Sequence, residues 1–120
     1  MRAVVVSLFA GLLFVVPVGA AQAAKSCPAP AYPSANGNYT TSSITAKKVT
    51  CANVDKLLTK HYQCRVKNGA SGRCVKLVMH FACREERYGD FYDSYFTATV
   101  TCVHEHQKVV WGYNQDKTTP

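Results

Sequence analysis

The clearest alternation of apolar and polar residues lies between residues 74 and 83. One parity is wholly apolar and the other is mixed: Val75, Leu77, Met79 and Phe81 against Lys76, Val78, His80 and Ala82. A period of two with β-branched and aromatic members predicts a strand with one buried face. Because a cysteine stands at each end, Cys74 and Cys83, we expect both ends to be fastened to neighbouring elements.

A helical pattern precedes this stretch. Residues 51–62 place apolar side chains at helical spacing, and Thr50 is a suitable N-cap: the apolar positions are Cys51, Val54, Leu57, Leu58 and Tyr62. Asp55 in the early turns and Lys60 and His61 in the last complement the helix dipole. The sequence therefore predicts one helix over residues 51–62.

Two further strands are predicted after a charged turn at residues 84–90. Residues 92–104 alternate with one apolar side, Phe96, Ala98, Val100 and Cys102, and residues 108–113 place Val109, Trp111 and Tyr113 on one face. Residues 105–107 form the turn between them. Strands that follow one another through short turns pair antiparallel. We therefore predict an α+β fold in which one helix packs on a three-stranded antiparallel meander, in the order α-β-β-β, cross-linked by disulfides.

The chain divides into four segments. Residues 1–23 have the basic start, apolar run and Ala-Gln-Ala end of a secretory signal peptide, and the run is too short for a membrane span. Residues 24–43, rich in Pro, Ser and Asn, predict an extended spacer. Residues 44–113 form the α+β domain and 114–120 a polar tail. We expect a secreted protein that is not an integral membrane protein.

All 6 cysteines follow the predicted cleavage site, and in an oxidising compartment an even number predicts three disulfides. The spacings of a zinc site are missing, and no cofactor motif is present. Cys64 and Cys74 enclose a run of turn formers and are the preferred pair. A helix antiparallel to the first strand favours Cys51–Cys83, which leaves Cys27–Cys102.

The charge is uneven. The chain has 14 Lys and Arg against 7 Asp and Glu, and residues 47–76 alone hold eight cations and one acid, Asp55. This basic pole is suited to an anionic surface, such as nucleic acid, anionic glycans or a membrane surface, or to a protein partner, and the preferred alternative is a solvated lysine-rich helix face.

Three segments together resemble an uncharacterised family of small exported actinobacterial proteins: I-T-A-K-K-V-T-C-A-N-V-D-K-L-L, G-R-C-V-K-L-V-M-H-F-A-C and V-T-C-V-H-E-H-Q-K-V-V-W. In that family a cysteine opens a helix, and later strands begin or end at cysteines. The resemblance implies a scaffold and no catalytic or binding residue. This chain departs from the pattern at residues 79–81, where a Gly-aromatic pair is common, and in having Cys27.

Histidines suggest one chemistry. His80, with His104 or Glu105 across the sheet and Lys76 as the cation, has the groups that a ribonuclease needs, and the alternative is that these are surface and turn residues. His104 and His106 alone make a poor metal site.

Aromatic residues are dense around the second turn. Tyr88, Phe91, Tyr92 and Tyr95 are the predicted contact surface, and the alternative is that they flank the core. We therefore expect a small secreted, non-enzymatic binding or inhibitor-like module. The competing hypotheses are a small secreted hydrolase such as a ribonuclease and a structural or envelope-associated protein.

Overall fold

A computed structural model of the chain describes residues 22–32, 39–89 and 94–117. It contains one helix and one antiparallel sheet of five strands in the order β1-β2-β5-β4-β3. In chain order the elements are β1 (Lys25–Ser26), β2 (Tyr39–Lys47), α1 (Cys51–Val66), β3 (Ala82–Tyr88), β4 (Tyr95–His104) and β5 (Gln107–Asp116).

The prediction of a three-stranded meander is therefore wrong. The segment taken as a spacer supplies β1 and the first half of β2, and β5 continues three residues into the predicted tail. β2 precedes the helix yet pairs with β5, the last strand. Only two residues of β2, Ile44 and Ala46, are buried. The rest of the strand is mostly Thr and Ser, so the sequence has no apolar alternation by which the strand could be recognised. Threonine nevertheless suits a half-buried strand.

The strand predicted over residues 74–83 is also wrong. Val75 and Leu77 are exposed, at 94% and 64%, although both were assigned to the buried face. Val78 and Phe81 instead bond to each other around a tight turn, N to O at 3.0 and 2.8 Å. The two central residues of this turn, Met79 and His80, have positive φ angles of 49° and 69°. Positive φ at both central positions is the mark of a type I′ turn.

The observed strand β3 occupies most of the predicted charged turn. Its inward-facing charges are paired through one carboxylate oxygen: Glu85 Oε1 forms ion pairs with Arg87 and with Arg73, the latter at 3.6 Å. The Arg87 guanidinium lies 4.2 Å from the ring centre of Phe96 and donates to the carbonyls of Ser71 and Gly72. β3 is an edge of the sheet, and inward charges on an edge strand discourage pairing with another chain.

The helix is confirmed and is one turn longer than predicted. The Thr50 side chain accepts from the backbone N–H of Asn53 at 3.3 Å, as an N-cap does. The helix continues past Tyr62 because its buried face continues through Arg65.

The core lies between the helix and one face of the sheet. The predicted inward faces of β4 and β5 are buried, and helix residues pack against them: Phe96, Ala98, Val100, Cys102, Val109, Trp111, Tyr113, Val54, Leu57 and Leu58. The other face carries Thr97, Thr99 and Thr101, which are half-exposed. An antiparallel sheet with one dry and one solvated face shows this alternation.

Three disulfides cross-link the described residues. Cys64 is bonded to Cys74, as predicted. The predicted pairs Cys51–Cys83 and Cys27–Cys102 are replaced by Cys27–Cys51 and Cys83–Cys102. The reason is topological. Cys83 stands directly opposite Cys102 in the β3–β4 register, and β1 brings Cys27 beside the helix start.

Candidate interaction surface

An exposed apolar loop, residues 75–77, lies between two fixed points. On one side Cys74 is bonded to Cys64 of the helix. On the other side the Val78–Phe81 turn closes with two backbone hydrogen bonds. Val75 and Leu77 extend into solvent, and Lys76 between them is exposed as well. The loop therefore presents apolar side chains on a rigid base.

Three lysines lie together at the Leu77 end of this loop. We call Lys60, Lys67 and Lys76 the basic rim: they line a shallow depression of about 250 Å³ together with Leu77 and Met79. Lys60 lies in α1 and Lys67 is its C-cap, so the end of the helix positions two of the three. The structure thus places three lysines of the predicted basic pole beside Leu77 and Met79.

Other cations of the predicted pole have different roles. Arg65 is fully buried, and Arg73 pairs with Glu85 at 3.6 Å. Lys47 and Lys48 lie at and just beyond the end of β2. Of the eight cations in residues 47–76, the depression therefore brings together Lys60, Lys67 and Lys76.

The predicted aromatic contact surface is described only in part. Tyr88 and Tyr95 are exposed, while Phe91 and Tyr92 fall outside the described residues. Tyr88 pairs with Thr97, so Tyr95 is its diagonal neighbour on the solvated face of the sheet. The Tyr88 hydroxyl donates to Glu86 Oε2 at 3.1 Å, and this bond to the carboxylate raises the pKa of Tyr88.

Two of the predicted histidines come together. The rings of His80 and His104 have centres 6.2 Å apart, and His104 also lies 5.6 Å from Phe81. His104 Nε2 is 4.0 Å from Glu105 Oε1. Lys76, the predicted cation, lines the depression with the other lysines. Within the described ranges no group of three or more His, Cys, Asp or Glu side chains is arranged to hold a metal ion.

A buried cation surrounded by tyrosines is the feature that sequence reasoning missed. The Arg65 guanidinium lies 4.9 Å from the ring centre of Tyr113, 5.3 Å from that of Tyr39 and 5.7 Å from that of Tyr62. It donates to the carbonyl of Ala70 and to Gln115 Oε1. Extending the helical period from Leu58 by seven residues reaches Arg65, and that is the signal that was available.

Burial changes the ionisation of this interior. Desolvation raises the pKa values of Tyr39 and Tyr113 well above the ordinary range, so both stay neutral. Burial likewise lowers the pKa of His61 to about 4, so its imidazole is neutral at pH 7. His61 packs edge-on against Trp111, with ring centres 5.2 Å apart. His61, Trp111 and Tyr113 are thus neutral side chains of the buried interior.

Comparisons of the chain with models of protein families, with curated proteins and with solved structures find no match. In the part of the chain that the structure describes, no helix is long and apolar enough to cross a membrane.

Proposed function

We propose that the protein is an exported, disulfide-stabilised binding module that contacts an anionic target through the apolar loop and the basic rim. The observation that carries the proposal is the joint exposure of Val75 and Leu77 on a cross-linked base beside three lysines. An exposed apolar patch edged by polar residues marks interaction surfaces.

Export is supported by two features. Residues 1–23 have the sequence of a signal peptide, and the three disulfides are compatible with an oxidising compartment. A cross-linked scaffold holds its contact surface in place before binding, which reduces the entropy lost on association.

Removing lysine charges at two different sets of positions tests the proposal. The variant Lys60→Gln/Lys67→Gln/Lys76→Gln removes the basic rim, and Lys47→Gln/Lys48→Gln/Lys108→Gln removes the same charge from other exposed positions. We expect the rim variant to elute from immobilised heparin at clearly lower salt than the control variant. The salt concentration needed for elution depends on the charges that contact the anionic matrix. Elution of both variants at the same salt concentration would therefore show that the basic rim is not the contact surface.

A ribonuclease is the alternative that a specific observation favours. His80 and His104 lie within 6.2 Å of each other between ring centres, which is compatible with a general base and a general acid acting on one phosphodiester. Incubation of the purified protein with RNA, beside the variant His80→Ala/His104→Ala, separates the two functions. We expect no cleavage by either protein. Cleavage that disappears in the variant would replace the binding module with an enzyme.

A further inference from the structure

We infer that the target is an anionic lipid bilayer, in which Val75 and Leu77 enter the interfacial region while the basic rim binds headgroup phosphates. This inference rests on the proposed function and adds the chemical class of the target. The exposure, composition and charge of the loop support it.

The loop has the amphipathic character that interfacial binding requires. Val75 is 94% and Leu77 64% exposed, and Leu77 lies at the depression that the three lysines line. Aliphatic side chains that are this exposed in water gain free energy when they enter the acyl boundary of a bilayer. Lys76 between them has a long stem, so its ammonium can remain at the headgroups while the stem lies along the apolar phase.

The composition favours lipid over a protein partner. Hot spots of protein interfaces are enriched in Trp, Tyr and Arg, whereas Leu, Val and Lys are under-represented there. This patch contains Val75, Leu77 and three lysines, and the arginines nearest in sequence, Arg65 and Arg73, are buried or ion-paired. Lysine ammonium groups are compact point charges that suit a surface of mobile phosphates, where bidentate recognition is not required.

The charges are placed to add to the apolar contact. Lys60, Lys67 and Lys76 line the depression next to Leu77, and among its described lining residues there is no acid. Each lysine near an anionic surface strengthens binding by about fivefold. Two apolar side chains alone give weak binding, so the inference requires both contributions to be present together.

Sedimentation with vesicles tests the inference. The probes are large unilamellar vesicles of phosphatidylglycerol with phosphatidylcholine, and of phosphatidylcholine alone, added to the oxidised exported protein at low salt. We expect the protein to bind the anionic vesicles at least about tenfold more tightly than the neutral ones. Raising the salt to 0.5 M should weaken binding, because the ionic contribution is screened.

Variants at matched positions separate insertion from charge. Val75→Ser/Leu77→Ser should lose about tenfold or more of the affinity for anionic vesicles. Val103→Ser, at an exposed valine on the sheet, should retain it. All three substituted positions are exposed, so the melting temperature of each variant should match that of the parent, and this is measured alongside.

The outcomes distinguish the inference from the proposed function. Vesicle binding that depends on both the loop and the rim supports both. Rim-dependent retention on heparin without vesicle binding overturns the lipid target and leaves the binding module. Equal vesicle binding by the parent and Val75→Ser/Leu77→Ser overturns insertion. Saturable binding of an acidic protein that requires the loop, without vesicle binding, assigns the surface to a protein instead.

Discussion

At the scale of single residues, the described interior contains three buried polar side chains, His61, Arg65 and Gln115, within an otherwise apolar core. Arg65 is fully buried, and its planar guanidinium lies close to three tyrosine rings while it donates to Ala70 and Gln115. A lysine has neither the planar surface nor the forked donors to replace it. The backbone closes tightly over this point, because a Cβ at Gly72 would lie 2.2 Å from the carbonyl oxygen of Arg65.

His61 makes the stability of the fold dependent on pH. Burial lowers its pKa from 6.5 to about 4, so below pH 6.5 the unfolded chain binds a proton that the folded chain does not. The free energy of unfolding should therefore be fully retained above pH 6.5 and fall as the pH decreases towards 4. The expected loss is about 2–3 kcal/mol. Urea denaturation at pH 7 and at pH 4.5 measures it.

The control for this prediction is His61→Gln, which has no titrating group at the same buried position. Carboxylates that titrate in the same range affect both proteins equally, so the difference between their pH slopes isolates His61. Equal slopes would show that the proton on His61 does not affect stability.

Residue-level prediction from the sequence succeeded where the signal was local. Thr50 is recognised as an N-cap by its type and position, and Cys64–Cys74 by the short run of turn formers that the pair encloses. The burial of Arg65 could not be predicted from local sequence, because an arginine is almost never fully buried unless its guanidinium is paired. Its acceptors, Ala70 and Gln115, depend on the tertiary fold.

At the scale of elements, the alternation of apolar and polar residues identified the buried face of a strand correctly only where that strand is paired with a neighbouring strand on each side. β4 lies between β3 and β5, and its buried side is the one the pattern predicts. Residues 74–81 have an equally regular alternation, yet a turn interrupts them at Met79 and His80. β3 follows with charged residues on both faces. An apolar period shows what a strand would bury, whereas hydrogen-bonding partners decide whether the strand forms.

The faces of β4 can be tested with one residue type. Val100 is fully buried and Val103, three residues later on the other face, is 44% exposed. Val100→Ala should lower the free energy of unfolding by on the order of 2 kcal/mol, because it leaves a cavity in the core. Val103→Ala should change it by less than about 0.5 kcal/mol. Chemical denaturation of both variants measures the difference, and similar losses would contradict the assigned faces.

At the scale of the whole molecule, the three cross-links connect different parts of one sheet and helix. Cys27–Cys51 joins the segment after β1 to the helix start, Cys64–Cys74 joins the helix to the apolar loop, and Cys83–Cys102 joins two strands. The number of disulfides could be predicted from composition and compartment. Their connectivity could not, because two pairs depend on β1 and on the pairing of β3 with β4, and neither β1 nor β3 has a clear apolar period in the sequence.

Reduction tests how far these cross-links stabilise the domain. A disulfide typically contributes about 2–4 kcal/mol, so three contribute an amount comparable to the total stability of about 5–15 kcal/mol for a native domain. We expect full reduction to lower the melting temperature sharply or to leave the domain unfolded at 25 °C, as followed by circular dichroism. Mass spectrometry of the alkylated protein confirms that all 6 cysteines have been reduced. The matched control is the same reducing agent at a concentration that leaves the disulfides intact by mass. A fully reduced protein that melts at the oxidised temperature would show that the helix and the five-stranded sheet hold together without them.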